Sequence, residues 1–455
     1  MESKSKKLGT EPIIPLLMRL SVPSIIAMAI QALYNVVDSI YVGRISTDAL
    51  SALSLAFPIQ IILLGIGVGT GVGASSLISR RLGENNRHAA INAAEHSILL
   101  AFIYGIIVAL LGFFFSDQII NLFTSERNLI QMGGDYIEII LLGSIALFFP
   151  MITNNVLRGE GNTFTPMVAM LIGSILNIIF DPFLIYGIGF FPAMGVSGAA
   201  LATVIARIIS TFFLIYILFS DKNELQISPR DFSLDFTIIR EIYIVGFPAM
   251  VMQFLASFML GGMNRILAGF GSTAIAAAGI YFRLQSFVFM PVFGLNQGFM
   301  PIMGYNYGHH NPDRMKKTFK STLLVAVIFT TTGFVIFQTI PDLLIKLFNN
   351  DPQLLAIGEN ALRIISIAFP IIGPAIIIST TFQALGNGFP SLFFSFLRQI
   401  IVLLPVMYLL GQWFGLEKLW FAFPISEAAS LIPAVIWIYF KFKHIYSKLE
   451  NRNSI

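Results

Sequence analysis

Two aspartates lie within long apolar stretches of the chain, Asp38 in YNVVDSIYVG and Asp181 in LNIIFDPFLIYG. Asn35 precedes Asp38 by three residues, a spacing that on a helix puts both side chains on one face. Asn177 precedes Asp181 by four residues, with the same consequence. Pro182 removes a helical hydrogen bond beside Asp181, and a helix broken beside a carboxylate is a common way to build a cation site. These side chains are therefore candidates for holding a proton or a small hard cation.

The elements that carry these residues must be membrane helices. Of the 455 residues, 56% are hydrophobic and 11% are charged. A soluble domain needs roughly 25% charged residues to cover its surface, so lipid is the solvent that fits this composition. At membrane depth an ionisable side chain costs about 2.5–3.5 kcal/mol on insertion scales, so the presence of Asp38 and Asp181 in these stretches needs a physical reason.

The composition also argues against several classes of function. The formal net charge of +4 and the lack of a long basic block give no reason to expect a nucleic-acid partner. The absence of cysteine excludes disulfides, iron–sulfur clusters and thiol catalysis. His309–His310 is the one adjacent histidine pair, and without an HExxH pattern it does not indicate a catalytic zinc. We therefore expect no enzymatic activity and no cofactor.

Hydropathy predicts twelve transmembrane helices, since a spanning helix needs about twenty mainly apolar residues. The predicted spans are 13–40, 50–77, 92–115, 133–156, 165–187, 196–219, 238–268, 274–301, 318–341, 359–383, 390–412 and 419–441. Lys4, Lys6 and Lys7 precede the first span, and no small-residue cleavage site follows it. The first span is therefore expected to be retained rather than removed as a signal peptide.

Positive charge in alternate loops predicts the orientation. The basic residues of the termini and of loops 2–3, 6–7 and 8–9 fall on one side if the helix count is even: Lys4, Lys6, Lys7, Arg80, Arg81, Arg87, Lys222, Arg230, Arg240, Arg314, Lys316, Lys317, Lys320, Lys441, Lys443 and Lys448. The loops of the opposite side are sparse or acidic. Both termini are therefore predicted to face the cytoplasm, with the chain in the inner membrane of a prokaryote.

The two halves of the chain repeat around a polar break at 221–236. The repeat has a constant offset of 225 residues (248 − 23), which relates Pro23 to Pro248, Gly83 to Gly308, Asn86 to Asn311 and Gly161 to Gly386. Six predicted helices lie in each half, so the repeats are parallel. Two parallel bundles with a site between them form a recurrent transporter plan.

The polar cluster belongs to the first half alone. At the repeat offset Asp38 corresponds to Met263, and the segment around Pro405 (IVLLPVMYLL) has no carboxylate. If these polar residues had a purely structural role in the repeated fold, we would expect them in both halves. The plainer alternatives stay open: Asp38 could be solvated near the outer interface, or each aspartate could cap a neighbouring helix. Arg207 and Glu427 are interpreted as structural partners or cavity-wall residues.

Several stretches together resemble the multidrug and toxic compound extrusion (MATE) family: LYNVVDSIYVGR, LISRRLGENN, NNVLRGEGNTFTP, LNIIFDPFLIYGIG, GVSGAALATVIAR and FQALGNG. The likeness covers nearly the whole chain in order. It implies an all-α membrane protein with two pseudo-symmetric six-helix lobes, at 1–220 and 237–455, around a central cavity, and a cytoplasmic linker at 221–236. It also implies export of organic, often cationic and amphipathic, compounds in exchange for H⁺ or Na⁺.

The resemblance also implies a cation site in the first lobe. The family's positions match Asp38 in YNxxD, Asn177 and Asp181 in LNIxxDP, Asn154 before LRGEG, and Thr203 in AALAT. Of these, Asp38, Asn177, Asp181 and Thr203 would hold Na⁺ through oxygen atoms, or the carboxylates would hold a proton. Supporting roles are expected for Tyr34, Asn35, Pro23 and Pro182. Some family branches carry acidic residues in helices 7 and 10, and this chain has none there, so coupling through the second lobe is not expected.

The expected function is therefore cation-coupled export of small organic molecules by a monomer in a lipid bilayer. A lipid or lipid-linked oligosaccharide flippase is the alternative, since it shares the two-bundle plan. It would usually carry more charge along its cavity to meet diphosphate head groups. The residues do not indicate the natural substrate, nor do they decide between H⁺ and Na⁺.

Overall fold

The structure is a computed structural model that describes residues 4–189, 191–220, 223–227 and 232–453. Within these ranges the secondary structure is helical throughout, with no strand. The linker expected at 221–236 falls partly outside the described residues, as do Lys222 and Arg230. The integral membrane, all-α class predicted from composition is confirmed.

The first half of the chain contains eight helices. They are α1 (Lys4–Thr10), α2 (Ile13–Gly43), α3 (Thr47–Gly83), α4 (Arg87–Asn121), α5 (Arg127–Leu142), α6 (Ile145–Gly159), α7 (Phe164–Tyr186) and α8 (Gly195–Leu218). The helices α2 to α8 form the first bundle, and α1 lies outside it at the end where α3 ends and α4 begins.

The second half forms the second bundle. Its helices are α9 (Phe236–Ala268), α10 (Ser272–Gly308), α11 (Pro312–Thr339), α12 (Pro341–Lys346), α13 (Pro352–Ser366), α14 (Phe369–Ala384), α15 (Phe389–Phe396), α16 (Leu404–Phe414), α17 (Leu416–Leu419) and α18 (Ala422–Asn453). A π-helical segment at Leu397–Leu403 joins α15 to α16 into one span.

The described residues contain twelve candidate spans when two bent helix pairs are each counted once. Ten spans are long, apolar helices, and α5–α6 and α13–α14 each bend by 50° at a short break. The first break falls at Gly143, which disfavours helix, and the second precedes Pro370, which lacks a backbone donor. The predicted count of twelve is thus reached, and each predicted range overlaps an observed helix. The expectation of a broken helix at Pro182 is wrong, because α7 continues through this proline to Tyr186.

The two bundles meet along two long helix pairs, α3 with α9 and α2 with α10. In the first half of α2, Leu16, Leu17 and Leu20 are at most 4% exposed. In its second half, Leu33 and Val36 are 60% and 56% exposed. The bundles are therefore packed together at the end where α3 and α10 terminate, which we name the closed end, and they are apart at the other end.

The second bundle contains a largely buried ion pair between its last two spans. Arg398, in the π-helical segment, contacts Glu427 of α18 at 2.8 Å, and the glutamate side chain is 8% exposed. Glu427 Oε2 has no further hydrogen-bond partner among the described residues. The pair neutralises two charges that neither lipid nor an apolar core would solvate.

Removing one member of this pair should destabilise the protein more than removing both. Glu427→Leu leaves Arg398, which is 28% exposed, without its partner. Removing one member of a fully buried pair typically costs about 3–5 kcal/mol, so we expect a loss below that range, and the double variant Arg398→Met/Glu427→Leu should recover most of it. The thermal unfolding midpoint of the detergent-purified protein measures both. Glu359→Gln, which breaks the exposed pair with Arg363, is the control and should change stability by at most about 1 kcal/mol. Equal midpoints for the single and double variants would contradict this account.

Candidate functional site

The helices α7 and α8 hold the centre of the candidate site. They pack closely because Gly198 of α8 faces the Leu184 carbonyl of α7, where a Cβ atom could not fit. Asn177 and Asp181 on α7 are 2% and 0% exposed, and Thr203 on α8 is 6% exposed. The helix-to-helix approach therefore brings the amide and the hydroxyl to one buried place.

A chain of hydrogen bonds links these three side chains. The Asn177 amide is oriented with its oxygen toward Thr203, since this orientation gives its oxygen and nitrogen suitable partners. Its Oδ1 then accepts from the Thr203 backbone N–H (3.1 Å) and hydroxyl (3.0 Å), and its Nδ2 donates to Asp181 Oδ2 (3.1 Å). Asn177 of the same helix thus holds Asp181 in position, and Thr203 of α8 in turn holds Asn177.

Helix α2 contributes the second carboxylate and a tyrosine. The Tyr34 hydroxyl is hydrogen-bonded to Thr203, and Asp38 lies within electrostatic range of Asp181. The Tyr186 hydroxyl of α7 donates to the Tyr41 carbonyl of α2 at 2.7 Å, which fixes the far end of α2 beside α7. Asp38 Oδ1 is buried and has no hydrogen-bond partner among the described residues. An acceptor oxygen of the site is therefore left open.

The remaining expected residues are less closely tied to the carboxylates. Asn154 is buried on α6, which packs against α7 and α8, and its Oδ1 has no partner among the described residues. Asn35 is exposed and lines the cavity beside Asp38. Pro23 is fifteen residues before Asp38 on the same helix, roughly 22 Å away along its axis, so it belongs to the helix that carries the site rather than to the site itself. Pro182 lies beside Asp181 within α7.

A cavity of about 460 Å³ opens in front of these groups. Its wall includes Tyr34, Asp38, Thr203, Arg207, Gln60 and Tyr136, together with leucine and phenylalanine side chains of α3. Gln60 donates to the Tyr136 hydroxyl at 3.1 Å. The wall thus combines apolar and aromatic surface with a few oriented polar groups, the usual lining of a small-molecule site.

Arg207 is a cavity-wall residue, one of the two interpretations that its sequence position allowed. It follows Thr203 by one helical turn, lines the same cavity and lies within electrostatic range of Asp38. In the described part of the chain, no ion pair of 4.0 Å or less involves Arg207. Its charge therefore acts on Asp38 through space and leaves the carboxylate oxygen open.

The sequence reasoning missed three residues that the structure places in polar positions. Gln60 and Tyr136 line the cavity, and Arg398 pairs with Glu427. Arg398 offered a usable signal, because it is a lone charge inside the predicted span 390–412. Gln60 and Tyr136 offered none, since a single glutamine or tyrosine in a membrane helix is common at packing positions.

The donor set consists of two carboxylates, an amide and hydroxyls, which suits a proton or a small hard cation. Two carboxylates in one desolvated pocket cannot both be ionised at low cost, so the pair favours uptake of one positive charge. Among the described residues, no group of three His, Cys, Asp or Glu side chains could hold a metal ion. The candidate site is suited to loading and releasing a cation.

Comparison with known proteins gives the family. The MatE family model matches the chain twice, at residues 23–183 and 248–409. The two matches start 225 residues apart (248 − 23), the offset of the internal repeat.

The relatives and solved structures agree with this match. The chain is 30% identical over 429 residues to the multidrug export protein MepA of Staphylococcus haemolyticus, covering 93% of this chain and 92% of that protein. It is 28% identical over 432 residues to MepA of Staphylococcus aureus, covering 94% of both. A MATE transporter solved in complex with MaD3S superposes with a TM-score of 0.92 at 26% identity, over 98% of this chain and 99% of that one. An outward-facing MATE transporter superposes with a TM-score of 0.91 at 26% identity and the same coverage. The chain therefore belongs to the MATE family of multidrug export transporters, two six-helix bundles that move substrates across a membrane and are not enzymes.

Proposed function

We propose that this protein is an antiporter that exports amphipathic, often cationic organic compounds in exchange for H⁺ or Na⁺. The observation that carries the proposal is the network Tyr34–Thr203–Asn177–Asp181 beside Asp38. Of these residues, Tyr34, Thr203 and Asp38 line a cavity large enough for a small organic molecule, and Asn177 and Asp181 are buried behind them. The relatives named as multidrug export proteins support the same substrate class.

Coupling follows from the charge of the site. Without a bound cation, Asp38 and Asp181 repel each other, and Arg207 only partly offsets this repulsion. Entry of H⁺ or Na⁺ from outside neutralises the pair and allows α2 to repack against α7. The repacking narrows the cavity and lowers its affinity for the organic substrate. Exchange requires that each ligand binds the two conformations with different affinity. Because both ligands use the same cavity, the change in its width changes the affinity for each of them.

Topology and assembly complete the proposal. Both termini face the cytoplasm of a prokaryotic inner membrane, because the closed end carries the basic side chains Arg80, Arg81, Arg87, Arg314, Lys316, Lys317 and Lys320. The lobes are divided at 221–236, the first lobe (1–220) carries the cation site, and the second lobe comprises 237–455. The transporter works as a monomer. The residues that load the cation are Asp38, Asp181, Asn177, Thr203 and Asn154, and for Na⁺ the ligands are the first four.

Neutralising either carboxylate should abolish export. Asp38→Asn and Asp181→Asn each remove one of the two charges that make the site take up a cation, while the amides preserve size and hydrogen bonding. Drug resistance of cells expressing each variant measures export, and membrane fractionation measures insertion. Asp342→Asn, at an exposed carboxylate outside the site, is the control and should export normally. Normal resistance with either site variant would reject the scheme.

Breaking the hydrogen-bond chain should weaken the site without destroying it. Thr203→Val keeps the shape of the side chain but removes the hydroxyl that joins Tyr34 to Asn177. The hydroxyl makes two such bonds, each contributing about 1 kcal/mol, so we expect roughly a thirtyfold loss of apparent affinity for the coupling cation. Efflux from proteoliposomes as a function of external cation concentration gives this value. Thr332→Val, whose exposed hydroxyl bonds only to the Ile328 carbonyl of its own helix, is the control.

The coupling ion is found by imposing the two gradients separately. Proteoliposomes containing purified protein and a fluorescent organic cation receive either a pH gradient or a Na⁺ gradient, with the membrane potential clamped. Efflux should follow one or both gradients and should disappear in Asp181→Asn. Efflux that is equal in the presence and absence of both gradients would show a uniporter instead.

A further inference from the structure

Glycines of α3 and α9 form the first of two seams between the bundles. A Cβ atom built on Gly69 would lie 2.7 Å from the Gly246 carbonyl oxygen and 2.9 Å from the Met250 nitrogen. A Cβ atom on Gly73 would collide with the Ile242 carbonyl and lie 3.1 Å from the Gly246 nitrogen. Gly69 and Gly73 are four residues apart on one helical face, the small-xxx-small spacing that lets backbones touch.

Glycines of α10 and α2 form the second seam in the same way. A Cβ atom on Gly294 would lie 2.9 Å from the Ile25 nitrogen, and one on Gly298 would lie 3.0 Å from the Ser21 nitrogen. These residues are the repeat partners of the first seam: 69 + 225 = 294 and 73 + 225 = 298, while 21 + 225 = 246 and 25 + 225 = 250. The two seams are therefore one contact, used twice about a pseudo-two-fold axis.

The two seams converge at the closed end, where the bundles cross on a reciprocal pair of glycines. A Cβ atom on Gly83 would collide with the Tyr305 carbonyl, and one on Gly308 would collide with the Arg80 carbonyl. The relation is exact in the repeat, since 80 + 225 = 305 and 83 + 225 = 308. In both cases the obstacle is backbone, which cannot move aside as a flexible side chain could.

Among the described residues, polar bonds cross this contact both inside it and at its rim. Inside it, the Ser21 hydroxyl donates to the Leu295 carbonyl at 3.4 Å, and the Ser76 hydroxyl donates to the Gln383 carbonyl. Arg81 pairs with Glu241 at 2.7 Å, with both side chains about 30% exposed. The His309 ring contacts the Gly83 carbonyl at 3.2 Å. A partly exposed ion pair contributes about 0–1 kcal/mol and a neutral hydrogen bond about 0.5–1.5 kcal/mol, so the contact depends mainly on the close fit of backbone surfaces. Close backbone packing of this kind stabilises the contact when the helices are in register, and all of this packing is lost together when the helices separate.

We propose that Gly69, Gly73 and Gly83 of the first bundle and Gly294, Gly298 and Gly308 of the second form a symmetric gate that shuts the cleft at the closed end. Opening to that side separates both seams together, because they share one axis. The gate rests on the proposed function only in requiring that the cleft opens to both sides in turn, and it does not depend on the coupling ion or the substrate.

The gate predicts that a single methyl group at its centre forces it open. The chain contains no cysteine, so His88→Cys and Lys317→Cys place two spin labels, one on each bundle, at exposed positions near the closed end. In Gly83→Ala and Gly308→Ala, overpacking should increase the population with a longer label distance by about tenfold. Gly279→Ala is the matched control, because it lies on α10, gains the same helix propensity and meets no atom within 4 Å.

The distances between the spin labels are measured by double electron–electron resonance without substrate or ion gradient. A failure of the antiport mechanism would therefore leave the result unchanged. Distance distributions of Gly83→Ala and Gly308→Ala that match that of Gly279→Ala would overturn the gate.

A cross-link tests the gate without overpacking at Gly83 or Gly308. A Cβ atom built on Gly304 lies 3.1 Å from the Ser79 Cβ, close to the roughly 3.5–4.5 Å that a disulfide needs. In Ser79→Cys/Gly304→Cys, copper phenanthroline should form the disulfide and stop efflux, and a reductant should restore efflux. Each single variant is the control and should not respond to oxidation. Unchanged efflux by the fully cross-linked protein would also overturn the gate.

Discussion

The structure depends on one constraint: a charged side chain inside a membrane protein must be neutralised by a group close to it. In the first bundle, Asp38 lines the cavity and Asp181 is buried within electrostatic range of it. The side chains around Asp181 supply a hydrogen-bond chain rather than a paired cation. Arg207 lines the same cavity, and among the described residues no ion pair of 4.0 Å or less involves it. In the part of the chain that the structure describes, no direct ion pair therefore neutralises these carboxylates, and in the exchange that we propose a cation from outside does so.

The second bundle meets the same constraint in the opposite way. Its buried carboxylate, Glu427, is paired directly with Arg398, so the charges are neutral without any ligand. The π-helical segment that carries Arg398 shifts the register of the helix there, and such segments are often retained at functional positions. The two bundles therefore share a fold but not an electrostatic role, which explains why the repeat is visible in glycines and prolines and not in the acidic residues.

Helix α2 connects the site to the contact between the bundles. Its first half packs on α10 through Ser21 and Ile25, and its second half carries Tyr34 and Asp38. Pro23 lies within the first of these regions, where it removes one backbone donor and softens the helix. A change in how the second half packs against α7 can thus reach the seam along a single helix.

The sequence by itself determined the membrane class, the twelve spans and the repeat, because hydropathy and helix breakers are local properties of the chain. It also singled out Asp38 and Asp181, since a charge in an apolar stretch is conspicuous without any structure. The family resemblance implied Thr203, and only the tertiary structure showed how it meets Asn177, through the α7–α8 approach at Gly198. It also paired glycines that are more than a hundred residues apart into seams. Contacts of this kind depend on how helices cross, and helix crossing is set by the packing of the whole molecule rather than by any local pattern.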